Sequence, residues 1–182
     1  MLSEERLVHV SKFLSKHLRH QPERLGLVLA PGGWVPVTDL LTACARAGLP
    51  VSPDELEEVV RTNSKQRFSF DATGTLIRAN QGHSVEVDLQ LAPRVPPDVL
   101  YHGTGERSVQ AIQERGILKM SRQHLHLSSD VATARSVGAR HGRPVVFAIH
   151  SAAMVRDGHL FYLSDNGVWL VEHVPCGYLQ RI

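Results

Sequence analysis

The sequence predicts an α+β protein of two lobes, helices closed by a hairpin first and a strand-rich half second. Three observations carry this. Helical patterns fill the chain up to Asn63 and give way to period-two alternation around Phe68. A stretch from Leu89 to Asp98 holds Pro93, Pro96 and Pro97 and little periodicity. Beyond it come a continuous β-rich run, Val145–Ile149, and a hairpin signal at Ser164-Asp165-Asn166-Gly167. A length of 182 residues suits one ordinary domain or two small lobes.

The first helix is read over Glu4–Leu18, where Leu7, Val10, Phe13, Leu14 and Leu18 recur at three- and four-residue steps. Ser3 is its expected cap, Glu4 and Glu5 suit the positive end of its dipole, and Pro22 stops it. After a Gly32-Gly33 turn and Trp34-Val35, a second helix spans about Thr38–Ala47 and closes at Gly48. Ser52-Pro53-Asp54-Glu55 is a capping box that starts a third. Arg67 opens a strand that turns at Asp71–Gly74 and returns through Leu76-Ile77-Arg78. Three helices followed by a hairpin is the order of a winged helix.

In the second half, Val99-Leu100-Tyr101-His102 reads as a strand whose end carries Gly103-Thr104-Gly105, and Ser108–Arg115 as a helix ended by Gly116. Leu125-His126-Leu127 is a short strand, and Ser129 is expected to cap a helix reaching about His141. Leu160–Leu163 and Val168–Val171 flank the Asn-Gly turn. The expected division is a lobe at 1–88, a linker at 89–98 and a lobe at 99–182.

Composition narrows the function classes. With 42% hydrophobic and 21% charged residues, disorder is excluded. A net charge of only +2 gives no global field for nucleic acid, so any anion site must come from local clustering. Cys44 and Cys176 have no disulfide or metal spacing, which points to a reducing compartment. No spanning segment or apolar signal core is visible. A cytoplasmic monomer without a membrane partner is expected.

The residues able to do chemistry sit at chain turns. Arg19-His20 lies at a helix end, where the dipole alone favours cations. Arg67 has Lys65 beside it, which also suits a charged strand edge, and Arg122 precedes His124 and His126. Three arginines and a histidine at such turns suit one dianion. Arg78-Ala79-Asn80-Gln81-Gly82-His83-Ser84 reads as a polar loop or as a set of donors for phosphate and sugar. The two glycines after His102 let backbone approach a ligand closely, although neither a Walker nor a dinucleotide fingerprint is present. His124-x-His126 lacks a supporting cysteine or carboxylate, so no metal site is expected.

Taken together, Ser15-Lys16-His17-Leu18-Arg19-His20-Gln21-Pro22, Gly33-Trp34-Val35, Lys65-Gln66-Arg67-Phe68, Ile77–Ser84, Leu100–Thr104, Arg122–Ser128 and Gly167-Val168-Trp169-Leu170 resemble, in order, the KptA-like RNA 2′-phosphotransferases. The resemblance covers nearly the whole chain. It implies a winged-helix lobe followed by an ADP-ribosyltransferase-like lobe, with NAD as co-substrate and tRNA-like RNA bearing an internal 2′-phosphate as substrate. The phosphate would attack the nicotinamide ribose, giving ADP-ribosylated RNA and nicotinamide. The neighbouring ribose hydroxyl would then release RNA and ADP-ribose 1″,2″-cyclic phosphate.

By the same resemblance Arg19, His20, Arg67 and Arg122 are the catalytic quartet. His102, Gly103, Thr104, His126 and Ser128 would hold NAD, and Lys65, Arg78, Gln81, Gly82, His83 and Ser84 would hold RNA and its phosphate. Val168 stands where protein-modifying relatives often carry glutamate; an already anionic phosphate needs no general base to become a nucleophile. Two other classes stay open: an ADP-ribosyltransferase acting on nucleic-acid ends or protein, and a non-catalytic winged-helix module.

Overall fold

The computed structural model describes residues 2–182. The chain separates into two compact units, one ending at Gln90 and one running from Leu91 to Ile182. Each has its own apolar core, and helices combine with small antiparallel sheets in an α+β architecture.

In the first unit, α1 spans Glu4–Arg19, with the Ser3 side chain accepting from the Arg6 N–H. Val10, Leu14 and Leu18, four residues apart, form a stripe with no exposed surface. One 3-10 turn, Pro22–Leu25, ends at Gly26. Strand β1 (Val35–Pro36) leads into α2 (Val37–Arg46), and the Ser52–Glu55 capping box starts α3 (Pro53–Thr62). The hairpin of β2 (Phe68–Phe70) and β3 (Leu76–Ala79) adds to β1 in the order β1-β3-β2. Val35 faces Ile77 and Phe68 faces Ala79, so one sheet face is apolar and closes on Leu40, Leu56 and Val59. Arg67 lies just before β2 rather than opening it.

The second unit holds β4 (Leu100–Gly105), α4 (Val109–Arg115), β5 (Ile117–Leu118), β6 (Leu125–Leu127), α5 (Val131–Gly138) and β7 (Pro144–Ile149). There follow α6 (Ser151–Arg156), β8 (Tyr162–Leu163), β9 (Trp169–Val171), β10 (His173–Val174) and β11 (Leu179–Arg181). The sheets run β11-β7-β4, β6-β9-β8 and β10-β5, all antiparallel. Segment 91–98 is strapped to this unit: the Arg94 N–H donates to Phe161 O at 2.8 Å and Ser151 Oγ to Pro97 O at 2.6 Å.

The glycine-rich end read after His102 lies inside β4, with Gly103 and Gly105 paired to Val146 and Pro144. Two expectations for α5 change. The helix after β6 is capped by Asp130, not Ser129; its carboxylate takes the Thr133 N–H at 2.7 Å. That α-helix stops at Gly138, and 139–141 is a 3-10 turn.

The glycines also acquire a structural reason. A Cβ on Gly103 would collide with the Ala134 carbonyl of α5, and one on Gly105 with the carbonyl of His141. On α5 itself, a Cβ on Gly138 would lie 2.7 Å from Thr104 O. The glycines therefore lay helix directly on strand, and their first service is packing.

Candidate active site

The first unit gathers its basic residues around one loop. The last turn of α1 presents Arg19 and then His20, the helix cap. After β3 the chain turns at Gly82 (φ 91°) and comes back to that helix end, where the Ser84 N–H donates to Arg19 O at 2.9 Å. Ser84 Oγ is hydrogen-bonded to His20 Nδ1 at 2.8 Å. The same loop is tied to the entrance of β2: the Asn80 N–H donates to Arg67 O at 2.9 Å and Asn80 Nδ2 to Gln66 O at 2.7 Å. One short segment thus fixes the backbone carrying three of the predicted catalytic side chains. Gly82 and His83 are buried, Gln81 is half-buried and Ser84 is exposed, so the polar loop presents its serine outward.

Arg67 is aimed by a residue that sequence reading passed over. Its Nη1 donates to Asn63 Oδ1 at 3.1 Å, and the same oxygen accepts the Lys65 N–H. Asn63 Nδ2 donates in turn to Ser11 Oγ of α1 at 2.9 Å. The only sequence sign was an asparagine at the C-cap of α3 beside a basic run, a position usually read as a simple terminator. Arg78 is held by Gly32 O at 3.2 Å and lies 4.5 Å over the Trp34 ring, a cation–π contact. This gives Trp34 a role that its sequence motif did not disclose.

In the second unit, β4 and β6 are locked at Tyr101 and Ser128, which exchange backbone hydrogen bonds of 2.9 and 2.8 Å. That bridge sets His102 beside β6, with its Nδ1 3.3 Å from His126 O. A carbonyl only accepts, so Nδ1 carries the proton and Nε2 is left as an acceptor. Burial, the main cause, pulls the His102 pKa below the ordinary histidine value, and His141 adds to this against the opposing His126 carbonyl. The ring is neutral at neutral pH.

Arg122 Nη1 lies 2.9 Å from His126 Nδ1. Guanidinium only donates, which makes Nδ1 of His126 the acceptor. His102, His126, Ser128 and Arg122 are therefore one connected array. Thr104 is buried further along β4. Of the predicted quartet, Arg19, His20 and Arg67 belong to the first unit and Arg122 to the second. Guanidinium forks of this kind suit phosphate oxygens.

Among the described residues, no group of three or more His, Cys, Asp or Glu is placed to hold a metal ion, and no helix is long and apolar enough to cross a membrane. The profile of the "RNA 2'-phosphotransferase, Tpt1 / KptA family" matches residues 5–173. The chain is 66% identical to a "Probable RNA 2'-phosphotransferase" of Nostoc punctiforme over all of both chains. Proteins of the same designation share 54% identity in Streptomyces coelicolor, over 98% of this chain and 97% of that one, and 47% in Flavobacterium johnsoniae, over 94% of each.

Proposed function

The chain belongs to the RNA 2′-phosphotransferase family, Tpt1 / KptA, and from that premise we propose that it removes an internal 2′-phosphate from RNA with NAD as co-substrate. The observation that carries this reading is the array Arg122–His126–His102, in which a phosphate-type cation and an NAD-type histidine are joined through one residue. We read the first unit as a winged-helix RNA-recognition lobe, on the strength of its three helices and three-stranded sheet. The second reads as an ADP-ribosyltransferase-like lobe, with 89–98 as the connection.

The donor set suits NAD. A neutral His102 whose Nδ1–H is committed to a carbonyl offers Nε2 as acceptor for a ribose hydroxyl. Gly103, Thr104, His126 and Ser128 would complete the grip. When bound, NAD supplies an anomeric carbon with nicotinamide as leaving group.

This chain's residues do the rest. Arg19, Arg67 and Arg122 bind and orient the phosphate oxygens, remaining charged throughout. As charge moves between those oxygens and the departing RNA hydroxyl, fixed guanidiniums stabilise it without rearranging, and losing one such donor costs roughly 3–4 kcal/mol. His20, held by Ser84, moves the proton at the sugar hydroxyls. Lys65, Arg78, Gln81, Gly82, His83 and Ser84 shape the surroundings of the RNA phosphate. The test is an oligonucleotide with one internal 2′-phosphate incubated with and without NAD. Phosphate removal only with NAD supports the reading; retention under both conditions overturns it.

A further inference from the structure

A cavity of about 390 Å³ in the second unit is used by none of the chemistry above. Its wall includes His124, Tyr162, His159, Gln123, Lys119 and Glu172. None of His102, Gly103, Thr104, His126 or Ser128 lines it, so it is separate from the residues assigned to NAD. Its volume falls in the range of about 300–1,000 Å³ typical of small-molecule sites.

Its position follows from strand register. Tyr162, Leu170 and His126 are directly paired across β8, β9 and β6, so their side chains share one sheet face. His124 lies two residues before His126, in the bend that leads into β6. The cavity is thus a short step along the chain from the Arg122–His126 hydrogen bond.

Its chemistry is that of a neutral, flat ligand. Lys119 Nζ pairs with Glu172 Oε1 at 3.2 Å, which cancels the two charges at the wall. Burial first, and then Lys119, holds the His124 pKa below the ordinary value against the pull of Glu172, so that ring adds no charge at neutral pH. Among the described residues, Lys119 is the one lysine or arginine of the wall, and it is already paired, so no spare guanidinium or ammonium is offered to a phosphate. Two rings are available instead, His124 and Tyr162, edge to face with centroids 5.7 Å apart. Gln123 adds an amide side chain to the wall, a group that can both donate to and accept from the edge of a base.

We propose that this cavity is a nucleobase subsite that takes the base of the RNA nucleotide next to the 2′-phosphate. The assignment rests on the RNA 2′-phosphotransferase reading and names where a second nucleotide is gripped. Base stacking on aromatic side chains is sequence-tolerant, so the subsite registers the presence of a base more than its identity.

The experiment compares 2′-phosphorylated oligonucleotides carrying either adenosine or an abasic residue on the 5′ or the 3′ side of the phosphate. In the wild type, the abasic residue on one side should lower kcat/KM by about fivefold or more. His124→Ala should abolish that difference with the KM for NAD unchanged, and His124→Phe, which keeps a ring, should restore it. Equal abasic penalties in wild type and His124→Ala, or no penalty in the wild type, overturn the subsite. A raised KM for NAD in His124→Ala assigns the cavity to the adenine of NAD and overturns it too. If the wild type removes no 2′-phosphate from any RNA, the enzymatic reading fails first and the subsite falls with it.

Discussion

Arg122 donates from Nη1 to Nδ1 of His126 across 2.9 Å, while the backbone carbonyl of the same histidine accepts from His102. His126 thereby links the side chain proposed to hold phosphate to the side chain proposed to hold the ribose of NAD.

Removing the guanidinium at that end should separate the two chemical steps. Arg122→Ala is expected to slow release of dephosphorylated RNA by about 100- to 1,000-fold, the scale of one lost transition-state donor. ADP-ribosylated RNA should accumulate, visible by denaturing gel and mass spectrometry. Arg122→Lys should rescue little, because an ammonium lacks the planar fork. Product formation at the normal rate in Arg122→Ala would remove this residue from the quartet.

Asn63 predicts a loss without touching substrate. Asn63→Ala removes the oxygen that accepts from Arg67 Nη1 and breaks the tie to Ser11. It should lower kcat/KM for RNA by about tenfold, the scale of one hydrogen bond to a charged group, and leave the KM for NAD unchanged. Asn63→Asp keeps the acceptor oxygens and should recover most of the loss. Equal damage to the NAD and RNA parameters would mark Asn63 as a folding residue only.

Gly103 predicts a stability effect. Gly103→Ala places a methyl against the Ala134 carbonyl of α5, and overpacking of this sort costs about 1–3 kcal/mol or more. A fall of several degrees in Tm should follow. An unchanged Tm would show that α5 yields without cost.

The neutral His102 sets a pH dependence. Its folded pKa lies below the unfolded value of about 6.5. The unfolded chain therefore binds the proton first as pH falls, and stability drops from about pH 6.5 down to the folded pKa, then levels. Above 6.5 its contribution is complete. Denaturant unfolding of wild type and His102→Gln should differ by a constant amount above pH 7 and by a shrinking amount below 6.5. The KM for NAD should likewise stay flat from pH 8 to about 6.5. A difference that grows on acidification contradicts a neutral ring.

The sequence disclosed the features that depend on neighbours in the chain. The α1 stripe, the Ser52 capping box and the Asn166-Gly167 hairpin all rest on local spacing, and each stands in the structure as read. Short elements escaped: α6 has six residues and β10 two, too few for a period to register. The cap of α5 was misplaced by one residue because Ser129 and Asp130 are equally able acceptors. Side-chain types at the candidate site were legible, whereas the links between them were not. Asn63 to Arg67, Ser84 to His20 and Trp34 to Arg78 are made by tertiary folding, and Gly103 marked a close approach without saying that a helix was the object.

The most direct test follows the phosphate itself. An oligonucleotide whose internal 2′-phosphate carries ¹⁸O is incubated with NAD and the full chain, and the products are resolved by mass spectrometry. The account predicts that the label leaves the RNA and appears in ADP-ribose 1″,2″-cyclic phosphate, with nicotinamide released in equal amount. Label recovered as inorganic phosphate without nicotinamide release would contradict it.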